Sequence, residues 1–229
     1  MRKANKQADE NPDEVRISID AKAKMNIGNF SRGGRNRVLT KAEDHDLGVK
    51  TKMTPFGFFL PQYDDFFLFF TESSVTSDFI VDRLEEVWGE VKERYHPDLL
   101  TINADNGIEN SSQRTQFIKR LVQFTQKYKI TVKLAYYPPY HSKYNPIERV
   151  WGVYENHIQG DMMDSVETTL KFAESMTYNG KNPSVKLVDK LYQTGVKVTE
   201  IAMEEYNKFV KRLPKLEKWF LTISPVLLE

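Results

Sequence analysis

The sequence predicts an α/β domain, and three observations carry that prediction. Short apolar segments with strand character recur along the first two-thirds of the chain. In the second half they alternate with stretches of helical spacing, which implies parallel strands joined by helical crossovers. Hydrophobic residues make up 40% and aromatics 12% of the 229 residues, enough to bury a core and to argue against global disorder.

Each element follows from a local pattern. Residues 1–14 are polar and charged and read as a flexible tail. Val15 to Ile19 alternates apolar and polar and reads as a strand ending at Asp20. Met25 to Phe30 reads as a second strand, after a turn at Ala21 to Lys24. A Gly-rich basic loop follows at 31–37 and runs on through mixed charge to residue 54. Phe56 to Leu60 is a short strand bounded by Pro55 and Pro61, and Phe66 to Phe70 is a continuous apolar run expected of a buried central strand.

Phe79, Ile80, Leu84, Val87, Trp88 and Val91 recur at helical spacing after Thr76 or Ser77, either of which can cap the helix. Leu99 to Ile102 reads as a strand leading into Asp105-Asn106-Gly107. A helix capped by Ser111 or Ser112 presents Phe117, Ile118, Leu121, Val122 and Phe124. Ile130 to Ala135 is the next strand, followed by a stiff proline-rich loop from Tyr136 to Pro146. Pro146 fits the first position of a helix capped by Asn145 and running to about His157. Ser165 to Tyr178 and Thr199 to Leu213 read as helices; Val185 to Val198 reads as either a hairpin or a helix.

Composition excludes several functions. With no cysteine there are no disulfides, thiolate nucleophiles or Cys-type zinc sites. No apolar run is long enough to span a bilayer, and Met1 to Glu14 holds no signal-peptide core, so a cytoplasmic protein with no membrane partner is expected. The net charge of +1 does not announce a nucleic-acid binder. Its distribution is more telling: from Asp105 to Val150 eight Lys/Arg stand against three acids, the pattern of a phosphate-backbone groove or of a solvated helix face.

Three of the acids fall where the chain leaves regular structure at one edge of the expected sheet. Asp20 ends the first strand, Asp105 follows the Leu99–Ile102 strand, and Glu148 lies in the first turn of the helix after the last strand. Ligands of α/β sheets gather outside strand ends. Pairing of the two strands would make Asp20 and Asp105 neighbours, with Glu148 laid over them. Three converging carboxylates need cations to offset their repulsion. Hard oxygen donors without cysteine select magnesium or manganese, and two such ions can clamp both oxygens of an in-line phosphoryl displacement. Each acid alone has a plainer reading: Asp20 as a turn former, Asp105-Asn106-Gly107 as a turn signal, and Glu148 as a helix-dipole partner.

At these residues the chain resembles a known family. Tyr137-Pro-Pro-Tyr-His-Ser-Lys-Tyr-Asn-Pro-Ile-Glu148-Arg-Val-Trp151 is similar to the signature around the third acid of DDE transposases of the Tc/mariner and related bacterial insertion-sequence supergroup. Asp105-Asn106 resembles the Asp-Asn carrying the second acid, and Ile17-Ser-Ile-Asp20 the strand carrying the first. Ser-Ile-Asp-Ala-Lys, Gly28-Asn-Phe and Asp105-Asn-Gly-Ile-Glu-Asn110 place the resemblance nearest the bacterial transposases of the Azo type, over residues 15 to about 220.

The resemblance implies an RNase H-like fold, a mixed central sheet flanked by helices. It implies DNA cleavage at element ends and strand transfer to target DNA, with two Mg2+ or Mn2+ ions held by Asp20, Asp105 and Glu148. It also implies a homo-oligomer in the active complex. Asn106, His141, Lys143 and Asn145 are the candidates to support those ligands or touch DNA. Arg32, Arg35 and Arg37 in the loop, with Arg114, Lys119, Arg120 and Arg149, are the candidates for DNA-backbone contacts. The expected division is a tail over 1–14, a catalytic core over 15–160 with the basic loop inserted at 31–54, and a mainly helical C-terminal extension over 161–229.

Two features depart from the pattern. The 42 residues between Asp105 and Glu148 exceed the spacing of typical mariner-like enzymes. Only fourteen residues precede the first strand, where such transposases carry a helix-turn-helix region that reads the element's ends, so end recognition is expected to need another segment. An RNase H-like nuclease that cuts without joining, and an inactive DNA-binding relative, stand as alternatives.

Overall fold

The computed structural model describes residues 1–30, 33, 51–138 and 141–228. Arg32, Arg35 and Arg37, with most of the basic loop, lie outside the described residues.

The first half places strands β1 (Glu14–Ala21), β2 (Met25–Ile27), β3 (Thr51–Leu60) and β4 (Asp65–Thr71). Helix α2 (Ser77–Tyr95), strand β5 (Leu99–Ala104), helix α3 (Thr115–Tyr128), strand β6 (Thr131–Tyr136) and helix α4 (Ile147–Ile158) follow. Among the described residues the sheet has the strand order β7-β4-β3-β1-β5-β6-β9-β8, with β2 paired to β3. The last three strands are β7 (Ser184–Val188), β8 (Val210–Arg212) and β9 (Phe220–Ile223). β1 runs parallel to β5, and β5 to β6, while β3 is antiparallel to both β1 and β4. This is the mixed central sheet flanked by helices that the resemblance implies, with β1 at its centre.

Alternation on β1 divides the two faces of the sheet. Val15, Ile17 and Ile19 point into a core with Phe79, Leu84 and Trp88 of α2 and Phe117, Leu121 and Phe124 of α3. On the opposite face Phe59, Phe66, Leu68 and Phe70 pack against Ile147, Val150, Trp151 and Tyr154 of α4. Burying each such side chain contributes about 1.5–3 kcal/mol before the entropy of ordering it. The apolar run of β4 is explained by its position, buried on both faces.

Pro55 lies inside β3 rather than bounding it. Its carbonyl accepts the Lys22 N–H at 2.9 Å, so its nitrogen faces the same side, one residue beyond the last β1 pairing at Ala21–Phe56. The ladder with β4 therefore loses no donor, and toward β1 only the return bond to the Lys22 carbonyl is missing, at the end of the pairing.

Two segments differ from expectation. Residues 2–10, expected as tail, form helix α1 (Arg2–Glu10), laid over the polar face of β1 and β5. Asp9 takes a bidentate bond from Arg16 at 2.7 and 2.8 Å, and Asn5 accepts from Asn103 at 3.2 Å. The segment after 161, expected to be mainly helical, supplies helices α5 (Val166–Ser175) and α6 (Glu200–Asn207) but also β7, β8 and β9. β7 pairs in parallel with β4, and β9 pairs antiparallel with β6. Without them β4 and β6 would be edges with exposed backbone donors and acceptors.

Candidate active site

The parallel pairing of β1 with β5 carries the chain to the same end of the sheet at Asp20 and Asp105. Helix α4 then brings Glu148 over that end, and its start is fixed by a buried polar lock. Ser18, two residues before Asp20, donates its hydroxyl to the Asn145 side-chain oxygen at 2.5 Å and accepts the Ile147 N–H at 3.1 Å. Asn145 in turn donates to the Ile19 carbonyl at 3.0 Å. The hydroxyl of Ser18 therefore serves a helix N-terminus more than a hundred residues away. Asn145, expected as the local cap, ties α4 to β1 instead.

The three acids sense one another. Burial pushes Asp20 up to about 7 from an ordinary 3.8, and the charges of Asp105 and Glu148 push the same way. The Ala21 backbone N–H and the Trp151 indole oppose the rise. Glu148 is also held above the usual carboxylate range: burial raises it, Lys22 opposes, and Asp105 and Glu155 add to the rise. Among the described residues no three His, Asp or Glu side chains already stand close enough to form a ready metal cluster.

Asp105 is held by its own loop. Its Oδ1 accepts the Gly107 N–H at 3.0 Å and the Asn110 amide at 3.1 Å. Asn106 adopts φ +62°, a conformation asparagine tolerates better than most residues. Its side-chain oxygen accepts the Ser112 N–H at 3.0 Å, so Asn106 shapes the loop. Glu109 accepts from Ser77 and pairs with Arg114, fixing the loop's far side to the start of α2. Asn110 lies within the Asp105-Asn-Gly-Ile-Glu-Asn110 motif, but its bond to Asp105 has no signal in the sequence.

The candidate cations divide into two groups. Arg120 is committed to Asp78 at 2.7 Å, Asp82 at 2.8 Å and Glu85 at 3.6 Å on α2, and Arg114 to Glu109 at 3.2 Å. Lys127 and Lys133 also pair with acids. The basic excess read between Asp105 and Val150 is thus largely spent inside the fold, bracing α3 against α2. Lys119 is half-buried, with no ion pair among the described residues. Arg149, His141 and Lys143 are exposed on the block that carries Glu148. Lys143 lies over the Tyr144 ring, which stacks on His141. His141 and Arg149 line a cleft of about 780 Å³ with Tyr137, Tyr144 and Arg2.

The model of the family described as "Rhodopirellula transposase DDE domain" matches residues 1–225. The chain belongs to this transposase DDE-domain family. Membership implies dependence on divalent metal in general terms, and the donor set fits it: three carboxylates whose mutual repulsion a cation would relieve, in a chain without thiolates. No curated protein matches the chain. Among solved structures, the Mos1 transposase paired-end complex with left transposon end is similar at a TM-score of 0.49 and 12% identity. The match covers 69% of this chain and 46% of that one. Among the described residues no helix is long and apolar enough to cross a membrane.

Gly57 marks a close approach that the strand pattern of Phe56 to Leu60 does not by itself single out. It pairs with Asp20 across the β1–β3 ladder, and a side chain there would collide with Ile147 and Trp151. A glycine inside a strand signals close approach of another element; Phe56-Gly57-Phe58 carried that signal.

Proposed function

We propose that this domain cuts DNA at the ends of an insertion element and joins the freed 3′ end to target DNA, with Asp20, Asp105 and Glu148 as ligands of two Mg2+ or Mn2+ ions. The observation that carries this reading is the electrostatic convergence of those three acids, one from a strand end, one from a pinned loop and one from a helix locked onto the first strand. When bound, the ions supply charge stabilisation and a more acidic attacking hydroxyl.

The protein's own groups prepare that chemistry. Asn110 and the Gly107 N–H hold Oδ1 of Asp105, leaving Oδ2 to face a cation. The Ser18–Asn145 lock keeps Glu148 in register with Asp20. Exposed Arg149 and Lys143 offer the phosphate backbone positive charge on the block that carries Glu148. A homo-oligomer, with ends bound by more than one chain, fits this reading.

The test is nicking and strand transfer on pre-cut DNA ends with about 5 mM Mg2+ or Mn2+, at the few-millimolar level that weakly held hard cations require. Asp105→Asn is expected to abolish both reactions while leaving the fold intact by circular dichroism. Equal cleavage by the variant would refute the ligand assignment. Cleavage without joining would mark the domain as a nuclease.

A further inference from the structure

Cross-strand neighbours project from the same face of a sheet, so the space above Gly57 adjoins the side chain of Asp20. Trp151 of α4 fills that space. A Cβ at Gly57 would lie 2.9 Å from Trp151 Cζ2, 3.1 Å from its Cη2 and 2.6 Å from Ile147 Cδ1. The indole ring therefore rests on bare backbone. Cζ2 is bonded to the ring carbon that carries Nε1, which puts the indole N–H at the same notch, beside Asp20.

Trp151 is only 2% exposed, and its buried Nε1–H makes no well-formed hydrogen bond, though it lies close enough to Asp20 to oppose that carboxyl's raised pKa. Leaving such a donor poorly paired carries a desolvation cost that phenylalanine would avoid, at the expense of some ring contacts. A buried donor that faces the Asp20 carboxylate closely enough to favour its charge, yet without a well-formed hydrogen bond to it, points to an acceptor that turns fully into place in the working state.

We propose that Trp151 is a positioning residue: its indole N–H donates to the Asp20 carboxylate when that carboxylate turns to hold a divalent cation, and Gly57 is the notch that lets the ring reach it. The proposal rests on the reading of Asp20 as a metal ligand. Outer hydrogen bonds of this kind orient a ligand, and their loss weakens metal binding about 10–100-fold.

The experiment is a Mg2+ titration of the full chain followed by 1H–15N NMR. The chain has three tryptophans, and Trp151→Phe identifies the indole resonance of Trp151. That resonance is expected to move downfield with the same midpoint as the backbone amides of Ala21 and Gly107. The movement should vanish in Asp20→Asn. Trp151→Phe should raise the Mg2+ midpoint about tenfold, with the metal-free melting temperature within about 2 °C of wild type, because relief of the poorly paired donor offsets the lost ring contacts. Gly57→Ala should weaken Mg2+ binding in the same direction.

If the Ala21 and Gly107 amides respond to Mg2+ but the indole does not, the proposal is overturned while the metal-ligand reading stands. If none of the amides responds, both fall together. Should Trp151→Phe fail to fold, the wild-type titration decides the matter: if no indole resonance moves downfield with the midpoint of the Ala21 and Gly107 amides, the proposal is overturned.

Discussion

Asp20→Asn is expected to make the metal-free domain more stable above neutral pH. The unfolded chain titrates this carboxyl near 3.8, whereas burial and the neighbouring acids hold it at about 7 in the fold. Between those values the folded protein keeps a proton that the unfolded chain has lost. Stability from this group is therefore full below 3.8, falls as pH rises, and is gone above about 7. The ceiling is about 4 kcal/mol at 1.36 kcal/mol for each pH unit. Asp20 is partly reached by solvent, so about 2 kcal/mol is the working figure. Asparagine has no proton to lose. Urea denaturation in EDTA at a series of values from about pH 4.5 to 8 should show the wild-type curve falling and the variant's nearly flat. At alkaline pH the variant should melt about 4–8 °C higher, given about 2–4 °C per kcal/mol for a domain of this size. Mg2+ should restore the wild type and leave the variant unmoved. Wild-type and variant curves that run parallel across the range would refute the claim that Asp20 is a strained acid.

Other outcomes follow from the same contacts. Asn145→Ala breaks the lock between β1 and α4 and should cost about 2–3 kcal/mol in urea denaturation, since it strands the Ile19 carbonyl and the Ser18 hydroxyl in a buried setting. Asn110→Ala removes one donor from Asp105 and should slow nicking about tenfold while lowering stability by about 1 kcal/mol, measured by single-turnover cleavage and by melting. Burial pushes Asp82 up, but bonds from Lys190, Arg120 and Tyr192 outweigh it and hold the carboxyl at about 2. Its contribution is present above 3.8 and is lost as pH falls through about 2, so Asp82→Asn should cost about 1–2 kcal/mol at neutral pH, with the gap closing in acid titrations.

The parts of the fold legible in the sequence were those whose cause is local. β1 alternates, β4 is wholly apolar and α2 repeats its core residues at helical spacing, so each declares itself. α1 does not, because it buries only Ala8 and is held by Asp9 and Asn5 reaching residues elsewhere in the chain. β7 is half exposed, without clean alternation, and β8 has three residues; both exist because a neighbour's edge needs pairing. α3 starts at Thr115 after Arg114, with neither Ser111 nor Ser112 as its cap, because the loop before it is bent back to serve Asp105. The three acids were legible through their motif. The lock at Ser18, the notch at Gly57 and the spending of Arg120 on α2 were not, since each is a contact between segments far apart in sequence.

The strands at both flanks of the sheet come from the last stretch of the chain, β7 beside β4 and β9 with β8 beside β6. This sets an order on synthesis. While the ribosome is still short of Ser184, the emerged chain holds all three acids but has open backbone on both flanks, a template for aggregation. Such long-range pairings are also slow to form. A message interrupted late therefore yields sticky chains instead of a folded domain, and an unbroken reading frame through Ile223 becomes a condition for folding as well as for length.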